Sequence, residues 1–218
     1  MNMAAEGNYQ GARNVRDWLR RRVKRAIDLV AGITLLICAS PVMLAAAALI
    51  WICEGRPILY QWKVVGQHGL PLRSWKFRTM VRDADERKQE LLGKNEMQGP
   101  VFKMREDPRI TRSGRFLRRY SLDELPQLWS VVAGDMSLVG PRAPLASEFR
   151  DFKPWQKRKL SVVPGLTCLW QVQGRADITD FDDWIRMDLD YIDHWSLMLD
   201  FKILFQTVPV VLRGKGAY

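Results

Sequence analysis

Apolar residues gather first from Ala26 and continue almost without interruption to Cys53, directly after the basic run Arg20-Arg-Arg-Val-Lys-Arg25. As a straight helix this run is long enough to cross a hydrocarbon core of about 30 Å. Ser40-Pro41 interrupts it. A proline removes one helical hydrogen bond and crowds the preceding turn, and a serine hydroxyl can bond a nearby carbonyl, so a bend is predicted there. Two short arms would form a re-entrant hairpin, although the pattern alone favours an ordinary kinked transmembrane helix. Basic residues also follow the run (Arg56, Lys63, Arg73 and Lys76), which places both of its ends on the cytoplasmic side. No small-residue cleavage site with a polar start follows, so a signal peptide is not expected. Residues 1–17 are polar, carry Gly7 and Gly11, and are expected to be poorly ordered.

From Ile58 the pattern becomes globular. Ile58–Val65, the Gly66-Gln-His-Gly69 turn and Leu70–Phe77 predict a hairpin, with His68 a polar turn residue. Val81–Lys94 reads as a charged helix and Gly93–Pro108 as loop. Arg112, Arg115, Arg118 and Arg119 then recur at helical spacing and precede Ser121-Leu-Asp-Glu-Leu-Pro-Gln127. Guanidiniums beside the adjacent carboxylates Asp123 and Glu124 suit a phosphate-rich ligand and a divalent cation. The same residues fit a structural cap equally well. Ser121 with Glu124 matches a capping box, and Asp123 as N-cap would put Pro126 in a tolerated first turn. Gly134–Arg142 and Pro164–Arg175 read as glycine-bounded loops that can bring amides and one guanidinium to a phosphate, or as plain connecting turns. Asp177–Tyr191 is expected to be helical. Trp195–Leu212 is apolar but holds Asp200, Lys202 and Pro209, which favours a helix lying in the membrane interface over a second span.

Composition narrows the chemistry. Lys and Arg number 34 against 24 Asp and Glu, a net charge of +10 with a pI near 9.8, so an anionic partner is expected. Three cysteines without C-x-x-C spacing and only two histidines argue against a disulfide framework, a zinc site or a Ser-His-Asp triad. Rossmann and P-loop signatures are missing from the sequence. Nine tryptophans, several flanking apolar runs, resemble a membrane-interface belt.

Taken in order, Ser40-Pro41, Lys76-Phe-Arg-Thr-Met80, Ser121-Leu-Asp-Glu-Leu-Pro-Gln127, Gly134-Asp-Met-Ser-Leu-Val-Gly-Pro-Arg142 and Pro164-Gly-Leu-Thr with the following Trp-Gln-Val and Gly-Arg175 resemble the bacterial sugar transferase family of monotopic phosphoglycosyl transferases. The resemblance runs from about Arg20 to the C-terminus. It implies a sugar-1-phosphate moved from a UDP-sugar to undecaprenyl phosphate with release of UMP. Asp123 would be the nucleophile, Asp123 and Glu124 would hold Mg²⁺, and Arg118 would bind phosphate. Arg142, Arg175, Lys76 and Arg78 are further phosphate or substrate ligands on this reading. Ser40-Pro41 would be the break of a re-entrant helix, which turns the odds toward the hairpin. Cys168 stands where members commonly carry glycine, and Gln173 replaces a usual serine or asparagine. The Leu-Trp-Gln-Val wording resembles the branch that transfers glucose- or galactose-phosphate.

The expected fold is α+β and mostly α. It comprises an N-terminal segment 1–19, a re-entrant helix hairpin over 20–54, and a cytosolic catalytic region over 55–218 with a short β-hairpin and interfacial amphipathic helices. The expected place is the cytoplasmic face of a bacterial inner membrane, with the lipid bilayer as a partner and no nucleic acid. The apolar C-terminal helix would serve a homodimer as well as a bilayer. An N-acetylated amino-sugar donor, a membrane-tethered anion-binding module and an inactive scaffold remain alternatives.

Overall fold

The computed structural model describes residues 3–173 and 178–214, with side chains from Trp18 onward. The first element, α1 (Met3–Glu54), continues as helix across residue 20, so segment 1–19 is not set apart from the apolar run. α1 runs as one helix through Ser40-Pro41, with Pro41 inside it. Pro41 has no N–H for the carbonyl four residues earlier, which is that of Ile37. The Ser40 hydroxyl donates to that carbonyl at 2.7 Å and takes over the missing bond. Ser40→Ala should therefore destabilise the protein by about 1 kcal/mol. The same change should cost almost nothing beside Pro41→Ala, where a backbone N–H is restored. A double-mutant cycle of thermal melts in micelles checks this, and equal costs in both backgrounds would refute it.

After a turn at Gly55 come β1 (Leu59–Val65) and β2 (Pro71–Phe77), an antiparallel hairpin close to the predicted one. Side chains alternate across the pleat, so Trp62, Val64, Leu72 and Ser74 are buried on one face. Lys76 belongs to that inward set and emerges at its end. The predicted charged helix is shorter, α2 (Ala84–Leu91), and is followed by loop up to α3 (Arg112–Arg119). Thr111 caps α3 by accepting from the Gly114 N–H at 3.0 Å.

A 3₁₀ helix over Leu122–Gln127 carries the acidic pair into α4 (Leu128–Ala133). Gly134, at φ 96°, ends α4, and Arg25 of α1 donates to the Val131 and Val132 carbonyls at 2.6 and 2.7 Å. The two glycine loops are not separate turns. They contain β3 (Ser137–Val139) and β4 (Gly165–Thr167), which pair in parallel. Short α5 (Ala146–Phe149) lies between them, and α6 (Leu169–Gln173) follows. The chain ends in α7 (Phe181–Asp193) and α8 (Leu197–Arg213).

One stripe of α1 packs along the globular part. Asp28 accepts from the Leu138 N–H at 3.0 Å, Ala31, Leu36 and Ala39 meet the main core, and Ala46 and Ile50 pack with Phe77 and Leu117. Both ends are tied down. Lys24 bonds the Val139 carbonyl and Asp200 at 3.0 and 2.6 Å, while Glu54 accepts from the Ser113 hydroxyl. The rest of the helix surface exposes Val30, Ile33, Ile37, Leu44, Trp51 and Ile52. Residues Trp18–Glu54 are long and apolar enough to cross a membrane. On α8, Met198, Phe201, Phe205, Val208 and Leu212 form an exposed apolar stripe opposite buried Asp200 and Ile203.

Candidate active site

The 3₁₀ helix decides between the two readings of the acidic pair. Ser121 adopts a left-handed conformation (φ 53°) and makes no side-chain cap, so the capping box does not form. Asp123 lies inside the helix rather than at its cap, and is buried. Glu124 turns toward the inward end of β2, where Lys76 Nζ approaches its Oε1 at 2.6 Å. Arg142, just past β3, reaches the same oxygen at 3.1 Å.

A tryptophan supports both cations. Lys76 Nζ lies 3.8 Å from the centroid of a Trp62 ring and the Arg142 guanidinium 5.2 Å from one. The sequence reading missed Trp62. Its signal was the strand period, since Trp62 and Lys76 lie diagonally on one face of the hairpin, with Trp62 opposite Ser74 and Tyr60 opposite Lys76. Thr79 was missed too, and its hydroxyl accepts from Arg118 Nε at 2.9 Å. Arg118 thus lies within electrostatic reach of Asp123 on one side and of Asp107 on the other, the latter held by Arg109.

Burial raises the Asp123 carboxyl above the usual carboxylate range, and the neighbouring Glu124 charge adds to it, against the pull of Lys76, Arg118 and Arg142. Burial lowers the Lys76 ammonium, which Glu124 counteracts. No hydrogen bond from a described residue reaches the Asp123 carboxylate. A largely buried acid without a hydrogen bond from a described residue, and within electrostatic reach of three cations, is arranged to meet a further centre of positive charge or an electrophile.

Of the residues expected at the site, Asp123, Glu124, Lys76, Arg118 and Arg142 come together. Arg78 does not join them. Its Nη2 donates to the Glu54 and Gly55 carbonyls at 2.9 and 2.8 Å, at the end of α1. Irregular backbone after Phe77 sends it there instead of along the Lys76 side. The arginine face of α3 also disperses, because Arg112, Arg115 and Arg119 are exposed and only Arg118 faces the acidic pair. Arg175 lies outside the described residues. Cys168 is buried, within electrostatic range of Arg142, and its thiol donates to Gln171 at 3.2 Å. Burial pushes that thiol well above its ordinary pKa, so it is not a nucleophile.

The loops that hold Arg142 are fixed by backbone contact. Gly140 N–H donates to the Thr167 carbonyl and Gly165 N–H to the Pro141 carbonyl, each at 3.0 Å. Lys159 and Asp188, both buried, pair at 2.6 Å close to Arg142.

Residues 19–214, which carry this acidic pair, the basic residues around it and both glycine loops, match the model of a family described as bacterial sugar transferase. The chain belongs to that family. It is 44% identical over 195 residues to the galactosyl transferase CpsE of Streptococcus agalactiae, covering 89% of this chain and 43% of that protein. It is 43% identical over 205 residues to the undecaprenyl-phosphate galactose phosphotransferase of Salmonella typhimurium, covering 91% of this chain and 42% of that one. The exopolysaccharide production protein ExoY of Sinorhizobium fredii is 37% identical over 199 residues, with 89% and 88% of the two chains matched. The chain therefore spans less than half of the first two relatives and most of the third.

Proposed function

We propose that this chain transfers a hexose-1-phosphate, galactose or glucose, from a UDP-sugar to undecaprenyl phosphate, with Asp123 as the nucleophile. The observation that carries this reading is Asp123 itself, buried, without a hydrogen bond from a described residue, and within electrostatic reach of Lys76, Arg118 and Arg142. An Asp123 oxygen attacks the sugar-bearing phosphorus, its bond to the bridging oxygen breaks, and UMP leaves. An oxygen of the lipid phosphate then attacks the same phosphorus and regenerates the carboxylate. All reactants are anionic, so carboxylate attack needs nearby positive charge. Arg118, oriented by Thr79, and Lys76 and Arg142, held over Trp62, supply it. The galactose transfer in the names of two relatives supports the hexose donor.

Mg²⁺ fits the acidic pair. It takes one or two carboxylates, keeps waters and shares substrate phosphates, and no described residue competes for Asp123 with a hydrogen bond. When bound it would neutralise phosphate charge. Glu124 would hold it beside Asp123 while still pairing with Lys76 and Arg142.

The bilayer would receive the exposed apolar faces of α1 and α8, with the chain entering and leaving on the cytoplasmic face. A spanning α1 would carry one end about 30 Å from the globular part. The ties at Lys24 and at Glu54 favour a monotopic seat instead.

Purified protein given Mg²⁺, undecaprenyl phosphate and a panel of UDP-sugars should release UMP with UDP-galactose or UDP-glucose, at least tenfold faster than with N-acetylated donors. A preference for N-acetylated donors would sink the hexose assignment, and silence across the panel would sink the reaction.

A further inference from the structure

A second basic cleft, of about 510 Å³, opens at the C-terminal end of α1. Arg78, Arg82 and Arg112 line it together with Cys53, Glu54, Met80, Val81, Thr111 and Ser113, and none of the five grouped active-site residues does. Arg78 is only 6% exposed. Its Nη2 is occupied by the α1 carbonyls, yet its buried Nε and Nη1 have no acceptor among the described residues. Buried guanidinium N–H groups without acceptors are costly and rare. Arg82 adds a second guanidinium above Gly55, its Nη2 lying 3.5 Å from where a side chain there would begin. Arg112, exposed on α3, gives a third.

The acid in the cleft does not answer this charge. Glu54 accepts from the Ser113 hydroxyl, and one carboxylate against three guanidiniums leaves a positive excess. The carbonyl end of a helix repels anions, but here Arg78 Nη2 already covers two of those carbonyls. The cleft also sits at a boundary. Trp51 and Ile52, immediately before Cys53, are 58% and 79% exposed, and Phe116 of α3 is exposed nearby in the chain. If those apolar residues enter a bilayer, the cleft lies level with its phosphates.

We propose that this cleft is a binding site for the phosphate of an anionic glycerophospholipid, separate from the transfer site. The proposal rests on the membrane seat of α1 given above and not on the transfer chemistry. The phosphate oxygens accept from the exposed Arg82 and Arg112 as charge-assisted donors, over the buried positive charge of Arg78. The lipid would anchor the end of α1, whose own carbonyls hold Arg78.

Native mass spectrometry of the full chain, released from micelles containing equal amounts of phosphatidylglycerol and phosphatidylcholine, tests this. The expected result is selective retention of phosphatidylglycerol. Retention should fall roughly tenfold or more in Arg82→Gln/Arg112→Gln, which alters exposed residues and leaves the Arg78 bonds to α1 in place. Arg20→Gln/Arg22→Gln removes as much charge from the other basic flank and should change retention far less. Equal loss in both pairs, or equal retention of the two lipids, overturns the site. Displacement of the lipid by about 10 mM inorganic phosphate would overturn its assignment to a lipid headgroup. Retention of neither lipid would overturn this proposal and the membrane seat together, and would leave the donor assay untouched.

Discussion

If Asp123 is the nucleophile proposed above, Asp123→Asn should lower sugar-phosphate transfer by roughly 10⁴-fold, the scale of losing a covalent nucleophile, and yet raise the melting temperature at pH 7.5. The gain follows from linkage. The folded-state pKa of Asp123 is raised, chiefly by burial and then by Glu124. The fold therefore favours the protonated acid. Stability associated with this group is fully present below the unfolded value of about 3.9 and is lost as pH rises through the higher folded value. The cost is borne on the alkaline side of that titration, and asparagine, which has no charge to bury, removes it. A rise of about 2–4 °C corresponds to roughly 1 kcal/mol in a chain of this size. Millimolar Mg²⁺ should stabilise the wild type and leave the asparagine variant nearly unmoved. Thermal melts of both proteins with and without Mg²⁺ check this, and a variant that melts lower than wild type at pH 7.5 would contradict it.

Gly165→Ala is expected to have the largest structural effect. A methyl at Gly165 would lie 2.0 Å from the Gly140 nitrogen and 2.6 Å from its Cα, both backbone atoms that have no room to retreat. The reciprocal bonds between the two loops would part, and with them the position of Arg142. The cost of such overpacking is typically several kcal/mol once backbone must move. The expected outcome is loss of soluble folded protein from detergent extracts, or melting at least 10 °C lower. Gly93→Ala, where nothing lies within 4 Å of the added methyl, is the matched control. Wild-type yield and melting for Gly165→Ala would mean that the close approach of the loops is wrong.

These two positions also mark what could be read from the chain. The hairpin was legible because alternation over seven-residue strands is a strong signal, and its observed bounds differ from the predicted ones by one residue. Lys76, Arg118, Asp123, Glu124 and Arg142 were picked out by the motifs that contain them, and the fold does bring them together. The pairing of β3 with β4 was not, since three-residue strands are too short to show a period, and their glycines read as turns. The capping box at Ser121 failed because the next residues wind as a 3₁₀ helix around Pro126 and turn Asp123 inward. Arg78 was misplaced by motif adjacency. It is two residues from Lys76, but the strand ends at Phe77 and the arginine turns to the end of α1. At Pro41 the helix assignment continues, and Ser40 supplies the bond that Pro41 lacks.

The central claim is that Asp123 carries the sugar phosphate between donor and lipid. The most direct test is intact-protein mass spectrometry after brief mixing with Mg²⁺ and UDP-galactose or UDP-glucose, with no lipid acceptor present. The expected result is a wild-type species heavier by one hexose phosphate, one UMP released per chain, a modified peptide containing Asp123, and collapse of the adduct when undecaprenyl phosphate is added. No adduct is expected with Asp123→Asn. Steady turnover with lipid present but no adduct on Asp123, or an adduct that persists in the asparagine variant, would contradict it.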